Sequence, residues 1–183
     1  KAIETLISKG HTITKKEHES SLIAILLHDI GHGPFSHALE NSIVYKLSHE
    51  KISMIFMNKL NEEFNGKLSI AITIFQKKYK KKFLHQLISS QLDVDRLDYL
   101  NRDSFYSGVN EGIINSERII AMLNIKNNEL VIDEKGLYSI EKFIIARKLM
   151  YWQVYLHKTV LSAEHTLMKV LKRAKYLAKI GHQ

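Results

Sequence analysis

The chain has 183 residues, close to one domain at about 150 residues each and long enough to bury a core without staples. Hydrophobic residues make up 45% and charged residues 25%, the balance of a soluble globular protein rather than a disordered one. The absence of cysteine excludes a disulfide framework, a thiolate zinc site and a cysteine nucleophile, while the net charge of +8 favours anionic partners without choosing among nucleotides, nucleic acid and acidic membranes.

One proline and eight glycines leave little turn chemistry for a many-stranded protein, so a mostly helical fold is expected. Ala2, Ile3, Leu6 and Ile7 have helical spacing that stops at Lys9-Gly10. Thr14 and Glu17 fit a capping box that starts a second helix, apolar nearly all round through Leu22 to Leu27 and therefore expected at the centre of the fold. That apolar run is far shorter than the roughly 20 residues that span a bilayer. Gly31, Gly33 and Pro34 then break regular structure. Short helices are expected over Ser36 to Tyr45, Ser48 to about Phe64 and Phe83 to Ser89, with an Asn65-Gly66 turn and a basic run from Lys77 to Lys82 between the last two. Asp93 can cap the next helix, which carries Leu97, Leu100 and Phe105 on one side. Ile125 and Leu130-Val131-Ile132 flank an Asn127-Asn128 turn and predict a small hairpin, the one convincing strand signal. From Lys135 the pattern is helical almost to the end, as one long helix or two joined by a bend. No internal repeat or linker divides the chain, which reads as a single domain over 1–183.

Three constellations can carry chemistry. His28-Asp29 puts an imidazole beside a carboxylate at the end of an apolar helix, where an ionised carboxylate is costly unless a cation or hydrogen bonds compensate it. A divalent metal would do so, and mixed imidazole and carboxylate donors suit Mn, Fe, Zn or Ni, or Mg where carboxylates dominate. A capped helix end with a hydrogen-bonded histidine is the competing reading. His32, His37 and His49 follow, and histidines gathered near a metal can protonate a leaving oxygen or hold phosphate charge.

The second group is Asp95, Arg96, Tyr99, Arg102 and Asp103. Asp95, Tyr99 and Arg102 fall near one helical face, with Arg96 and Asp103 on a neighbouring stripe. They suit a metal ligand with phosphate and sugar contacts, or equally a solvated helix laced with ion pairs. The third is the stripe of Arg147, Tyr151, Tyr155 and Lys158, with His157 beside it. It suits a nucleotide, or an amphipathic helix whose tyrosines and Trp152 fill the core. The lysine run reads as a solvated loop, with nucleic-acid binding as its functional alternative.

LLHDIGHGPFSH followed by SSQLDVDRLDYLNRDSFYSGV, with VYLHKTV near the C-terminus, resembles the HD-domain phosphohydrolase superfamily. The branch is that of the deoxynucleoside triphosphate triphosphohydrolases, the SAM-and-HD-domain enzymes and their bacterial relatives. The likeness runs from Lys1 to about Lys172. It implies an all-α HD fold and metal-dependent release of nucleoside and intact triphosphate from a (deoxy)nucleoside triphosphate. It implies one divalent metal ion held by His28, Asp29 and Asp95, with His32, His37 and His49 as catalytic histidines along the phosphates. Arg96, Tyr99 and Asp103 would hold phosphate and sugar, with Tyr155 and Lys158 completing the pocket. It further implies a cytoplasmic homo-oligomer with a nucleotide substrate and no membrane attachment. The family's first metal histidine sits in an Arg-x-x-His-Ser-like helix that nothing here matches, and His11 occupies the wrong place in the pattern. The chain is therefore expected to be an excerpt that starts after that helix. Two rivals stand beside this reading: an HD phosphohydrolase acting on nucleoside monophosphates or cyclic nucleotides, and a non-catalytic domain that binds nucleotide or nucleic acid.

Overall fold

The computed structural model describes residues 1–35 and 48–181. Its helices are α1 (Ala2–Ser8), α2 (Lys15–Leu27), α3 (His49–Glu63), α4 (Ser69–Phe75), α5 (Lys82–Ile88), α6 (Val94–Ser107), α7 (Ser116–Met122), α8 (Leu137–Met150) and α9 (Lys158–Lys179). The strands β1 (Leu123–Lys126) and β2 (Glu129–Ile132) form an antiparallel hairpin, so the fold is all-α with one small sheet among the described residues. The helix expected over Ser36 to Tyr45, and His37 within it, lie outside the described residues.

Local chemistry sets the boundaries. Gly10 ends α1 with φ at 89°. Thr14 opens α2 through a complete capping box: its hydroxyl accepts from the Glu17 amide at 3.2 Å, and the Glu17 carboxylate accepts from the Thr14 amide at 2.8 Å. Asp93 caps α6 by accepting from the Arg96 amide at 2.8 Å, and Gly108 closes that helix in the left-handed region. Asn127 and Asn128, with φ at 53° and 65°, make the hairpin turn.

One cluster of the core joins Leu6, Ala24, Ile74, Leu84 and Leu123 and ties α1, α2, α4 and α5 to the hairpin. A second joins Leu97, Leu100, Ile119, Phe143 and Met150, which fixes α6 against α7 and α8. A third, of Met57, Leu68 and Ile72, seats α3 on α4.

Several expectations are corrected. The buried face of α2 is Glu17, Ser20, Ser21 and Ala24, whereas Leu22 and Leu26 are exposed, so this helix is not enclosed on all sides. Ser20, Ser21 and Ala24 let α4 approach that face closely, Ile23, Ile25 and Leu27 pack half-buried against the core, and Leu22 and Leu26 are left outside. Phe105 does not share the buried face of Leu97 and Leu100. Trp152 is exposed beneath the Lys148 ammonium, 4.7 Å from its ring centre, and fills no core. The C-terminal stretch is two helices joined by a π-helical turn at Tyr151–Tyr155. Helix α7, started by Asn115 accepting from the Arg118 amide at 3.0 Å, escaped the sequence pattern. No helix among the described residues is long and apolar enough to cross a membrane.

Candidate metal centre and the adjoining cleft

The centre forms where α2 ends, α6 begins and α3 passes beside them. His28 is the C-cap of α2, and its Nδ1 lies 2.6 Å from the Ile25 carbonyl oxygen. A carbonyl only accepts, so Nδ1 carries the hydrogen and Nε2 is turned toward the carboxylates. Nε2 is 3.2 Å from Asp29 Oδ2 and 3.9 Å from Asp95 Oδ1, which comes from the first turn of α6. One ligand atom from each of His28, Asp29 and Asp95 lies within 4.8 Å of the others, as a shared cation requires. Burial raises the Asp95 carboxyl above its ordinary range; His28 opposes the rise, while the negative charges of Asp29 and Asp93 add to it. Two crowded carboxylates facing an imidazole lone pair form a donor set that a divalent cation fits. Asp29 itself is half-exposed at 51%, so the costly burial expected for it is carried by Asp95 instead.

Asp29 also turns Oδ1 to within 3.5 Å of His32 Nε2, and His32 stacks on His49 with ring centres 4.0 Å apart. Asp29, His32 and His49 thus form a second donor group that overlaps the first. These residues, with Glu50, Ser89, Asp93 and Arg96, line a cavity of about 340 Å³. Arg96 stands on its wall with the guanidinium tied to the Asp93 carboxylate and to the Ser90 carbonyl at 2.6 Å, and with Nε buried and unpartnered. The guanidinium is therefore held at a fixed place on the cavity wall.

Further along α6 lies the sugar side of the expected pocket. The Tyr155 hydroxyl donates to Asp103 at 2.7 Å, and its ring meets Tyr99 and Tyr151 edge-on at 6.2 and 5.1 Å. Burial, and for Tyr155 the bond to Asp103, hold both the Tyr99 and Tyr155 phenols in their neutral form. Tyr99 and Asp103 are thus brought together. Arg102 instead pairs with Asp98 on the exposed face, where the ion-pair reading was correct. Arg147 lies 5.7 Å from the Tyr151 ring centre and bonds Gln91 at 3.2 Å. Lys158 is exposed at the start of α9 and does not line the metal cavity. Glu50, Ser89 and Asp93 also line the cavity without having been assigned a site role from the sequence; Ser89 and Asp93 stand within the SSQLDVDRLDYL motif, Asp93 as a helix cap, whereas nothing in the sequence marked Glu50.

Comparison with known proteins identifies the family. The HD domain model matches residues 6–103, and the HD associated region matches residues 114–178. A solved phosphohydrolase from Bacteroides thetaiotaomicron superposes on the whole chain with a TM-score of 0.97 at 59% identity, and the chain covers 45% of it. The uncharacterized protein YwfO of Bacillus subtilis is 41% identical over 91% of the chain, which covers 40% of its length. A deoxynucleoside triphosphate triphosphohydrolase SAMHD1 homolog from Dictyostelium discoideum is 28% identical over 93% of the chain, which covers 36% of that protein. The chain thus spans less than half the length of each of these relatives.

Proposed function

Because this chain belongs to the HD domain family, we propose that it is the core of a metal-dependent phosphohydrolase that splits a (deoxy)nucleoside triphosphate into nucleoside and triphosphate. The observation that carries the proposal is the convergence of His28, Asp29 and Asp95 beside the His32–His49 stack and the fixed cation of Arg96, in one cavity. A divalent ion held by those three ligands would supply Lewis-acid polarisation of a phosphate oxygen and acidify a water molecule.

The chain's own groups account for the rest. The Ile25 carbonyl locks the His28 ring, and the Asp93 carboxylate locks Arg96, so charge along the phosphates is met by groups that need not reorganise. His32 and His49 hold phosphate oxygens, and a histidine of this set, His37 included, gives its proton to the departing 5′-oxygen. In bond terms, water oxygen joins the α-phosphorus while the bond from that phosphorus to the 5′-oxygen breaks. Tyr99, Tyr155 and Asp103 offer the sugar an aromatic wall and a carboxylate acceptor, and Lys158 offers the outer phosphates a cation. The likeness to the Dictyostelium triphosphohydrolase homolog supports this substrate class. Nucleotide is favoured over nucleic acid because the basic run is partly spent within the fold: Lys81 pairs with Glu17 and Lys82 with Glu129.

The test is product analysis after incubation with Mn²⁺ and a deoxynucleoside triphosphate mixture in ¹⁸O-labelled water. Nucleoside and triphosphate should appear together, with the label in triphosphate. Orthophosphate or nucleoside diphosphate as the sole product overturns the cleavage assignment.

A further inference from the structure

Ser53 lies in the middle of α3 with its residue fully buried, and its hydroxyl is used twice. It donates to the His28 carbonyl at 2.7 Å and accepts from the Gly31 amide at 2.9 Å. The His28 carbonyl is one of the last in α2, left without a helical partner at the C-terminus, and the Gly31 amide lies three residues on. One hydroxyl therefore closes the ends of the turn that presents Asp29.

Gly31 makes this contact possible. Its φ is not in the left-handed region; what a side chain would meet is backbone. A Cβ there would collide with the His49 carbonyl oxygen and the Ser53 amide nitrogen. The turn is thus pressed directly on the backbone of α3, one helical turn after His49 on the same face. The same stretch of α3 supplies the histidine that stacks on His32 and the hydroxyl that pins the metal turn.

We propose that Ser53 is a positioning residue that sets His28 and Asp29 against Asp95 and so fixes the geometry and affinity of the metal centre. The proposal rests on the reading of His28, Asp29 and Asp95 as metal ligands. Partners in the shell behind metal ligands change affinity by roughly 10- to 100-fold when removed. Ser53 acts one step further back, through backbone groups on both sides of a ligand-bearing turn, and an effect of about 10-fold is expected at the low end of that range.

The experiment measures Mn²⁺ affinity by EPR, and the visible spectrum at saturating Co²⁺, in the unaltered chain, Ser53→Ala, Ser53→Cys and Ser104→Ala. Ser104 is the matched control, a buried hydroxyl that donates to the Val109 carbonyl at 2.6 Å at the far end of α6. Ser53→Ala should fold, bind Mn²⁺ about 10-fold more weakly and shift the Co²⁺ bands. Ser53→Cys keeps the shape but accepts poorly, and it should move the same way, which covers the case in which the alanine variant does not fold. Ser104→Ala should melt earlier with unchanged affinity and spectrum. A Ser53 variant with the unaltered affinity and spectrum overturns the proposal alone, as does a Ser104→Ala variant that loses as much. If the unaltered chain binds neither ion, the metal reading itself falls.

Discussion

Asp93 and Asp95 stand two residues apart at the start of α6 and do opposite work. Asp93 is 2% exposed and accepts from the Ser90 amide at 3.0 Å, the Arg96 amide at 2.8 Å and the Arg96 guanidinium. Asp95 makes no such bonds; it faces His28 and is crowded by like charge. Asp93→Ala should cost about 2–4 kcal/mol in a metal-free urea melt, because it deprives a half-buried guanidinium of its buried partner and removes a cap. Asp95→Ala should cost less than about 1 kcal/mol there, since it relieves repulsion, yet abolish Mn²⁺ binding. Equal stability losses with metal content intact would reverse the two roles. The sequence pointed to both residues, Asp93 by the spacing of a cap and Asp95 by resemblance. Ser53 left no trace, because one serine on an amphipathic helix looks alike whether it faces solvent or a buried turn. Gly31 was visible only as a breaker of regular structure; its need for close approach to α3 depends on packing between segments 18 or more residues apart.

At the scale of elements, the start of α2 is held by a buried carboxylate. Glu17 is 3% exposed and accepts from Lys81 Nζ at 2.7 Å and the Tyr79 hydroxyl at 2.8 Å as well as from its own cap. Burial alone would raise its pKa, but the bonds from Lys81, Thr14 and Tyr79 prevail and hold it near about 2. A folded pKa below the unfolded one gives stability that is complete above about 4.5 and is lost as pH falls toward about 2. The contribution is of the order of 3 kcal/mol. Glu17→Gln should lower stability at pH 7 by about 2–3 kcal/mol and flatten the acid limb of a pH–stability curve between those values; an unchanged limb would show that other carboxylates govern it. The Thr14–Glu17 box was legible because its pattern is local, as was the Asn127-Asn128 turn. The partners that turn Glu17 into a buried anchor, Tyr79 and Lys81, sit in the lysine run that read as a solvated loop. Likewise, an apolar sequence around α2 could not say which face the fold would cover, and Leu22 and Leu26 are exposed.

Across the whole molecule, stability is unevenly distributed. Helices α1, α2 and α4 to α8 each bury side chains in one of two large clusters, whereas α9 has 22 residues and buries none. Leu161, Leu167, Met168 and Leu171 form a half-covered apolar stripe, and Val160, Val170 and Tyr176 are exposed. Lys169 and Arg173, one turn apart, lie on the side opposite the stripe. The sequence showed the helical period here but not that the described residues leave the helix largely uncovered, which depends on where α8 and the π turn direct the chain. A helix without tertiary packing is marginal in water, since propagation barely offsets nucleation, and such segments open far below the global unfolding energy. In the 183-residue chain, amides of α9 beyond its first two turns should exchange at least about 100-fold faster than those around Leu97 and Leu100 in α6. Truncation after Glu164 should change the core's unfolding energy by less than about 1 kcal/mol. Hydrogen exchange read by mass spectrometry checks the first statement and a urea melt the second. Protection in α9 equal to that of α6 would mean that the helix shares the global unfolding unit, and its apolar stripe would then have to be counted as part of the core.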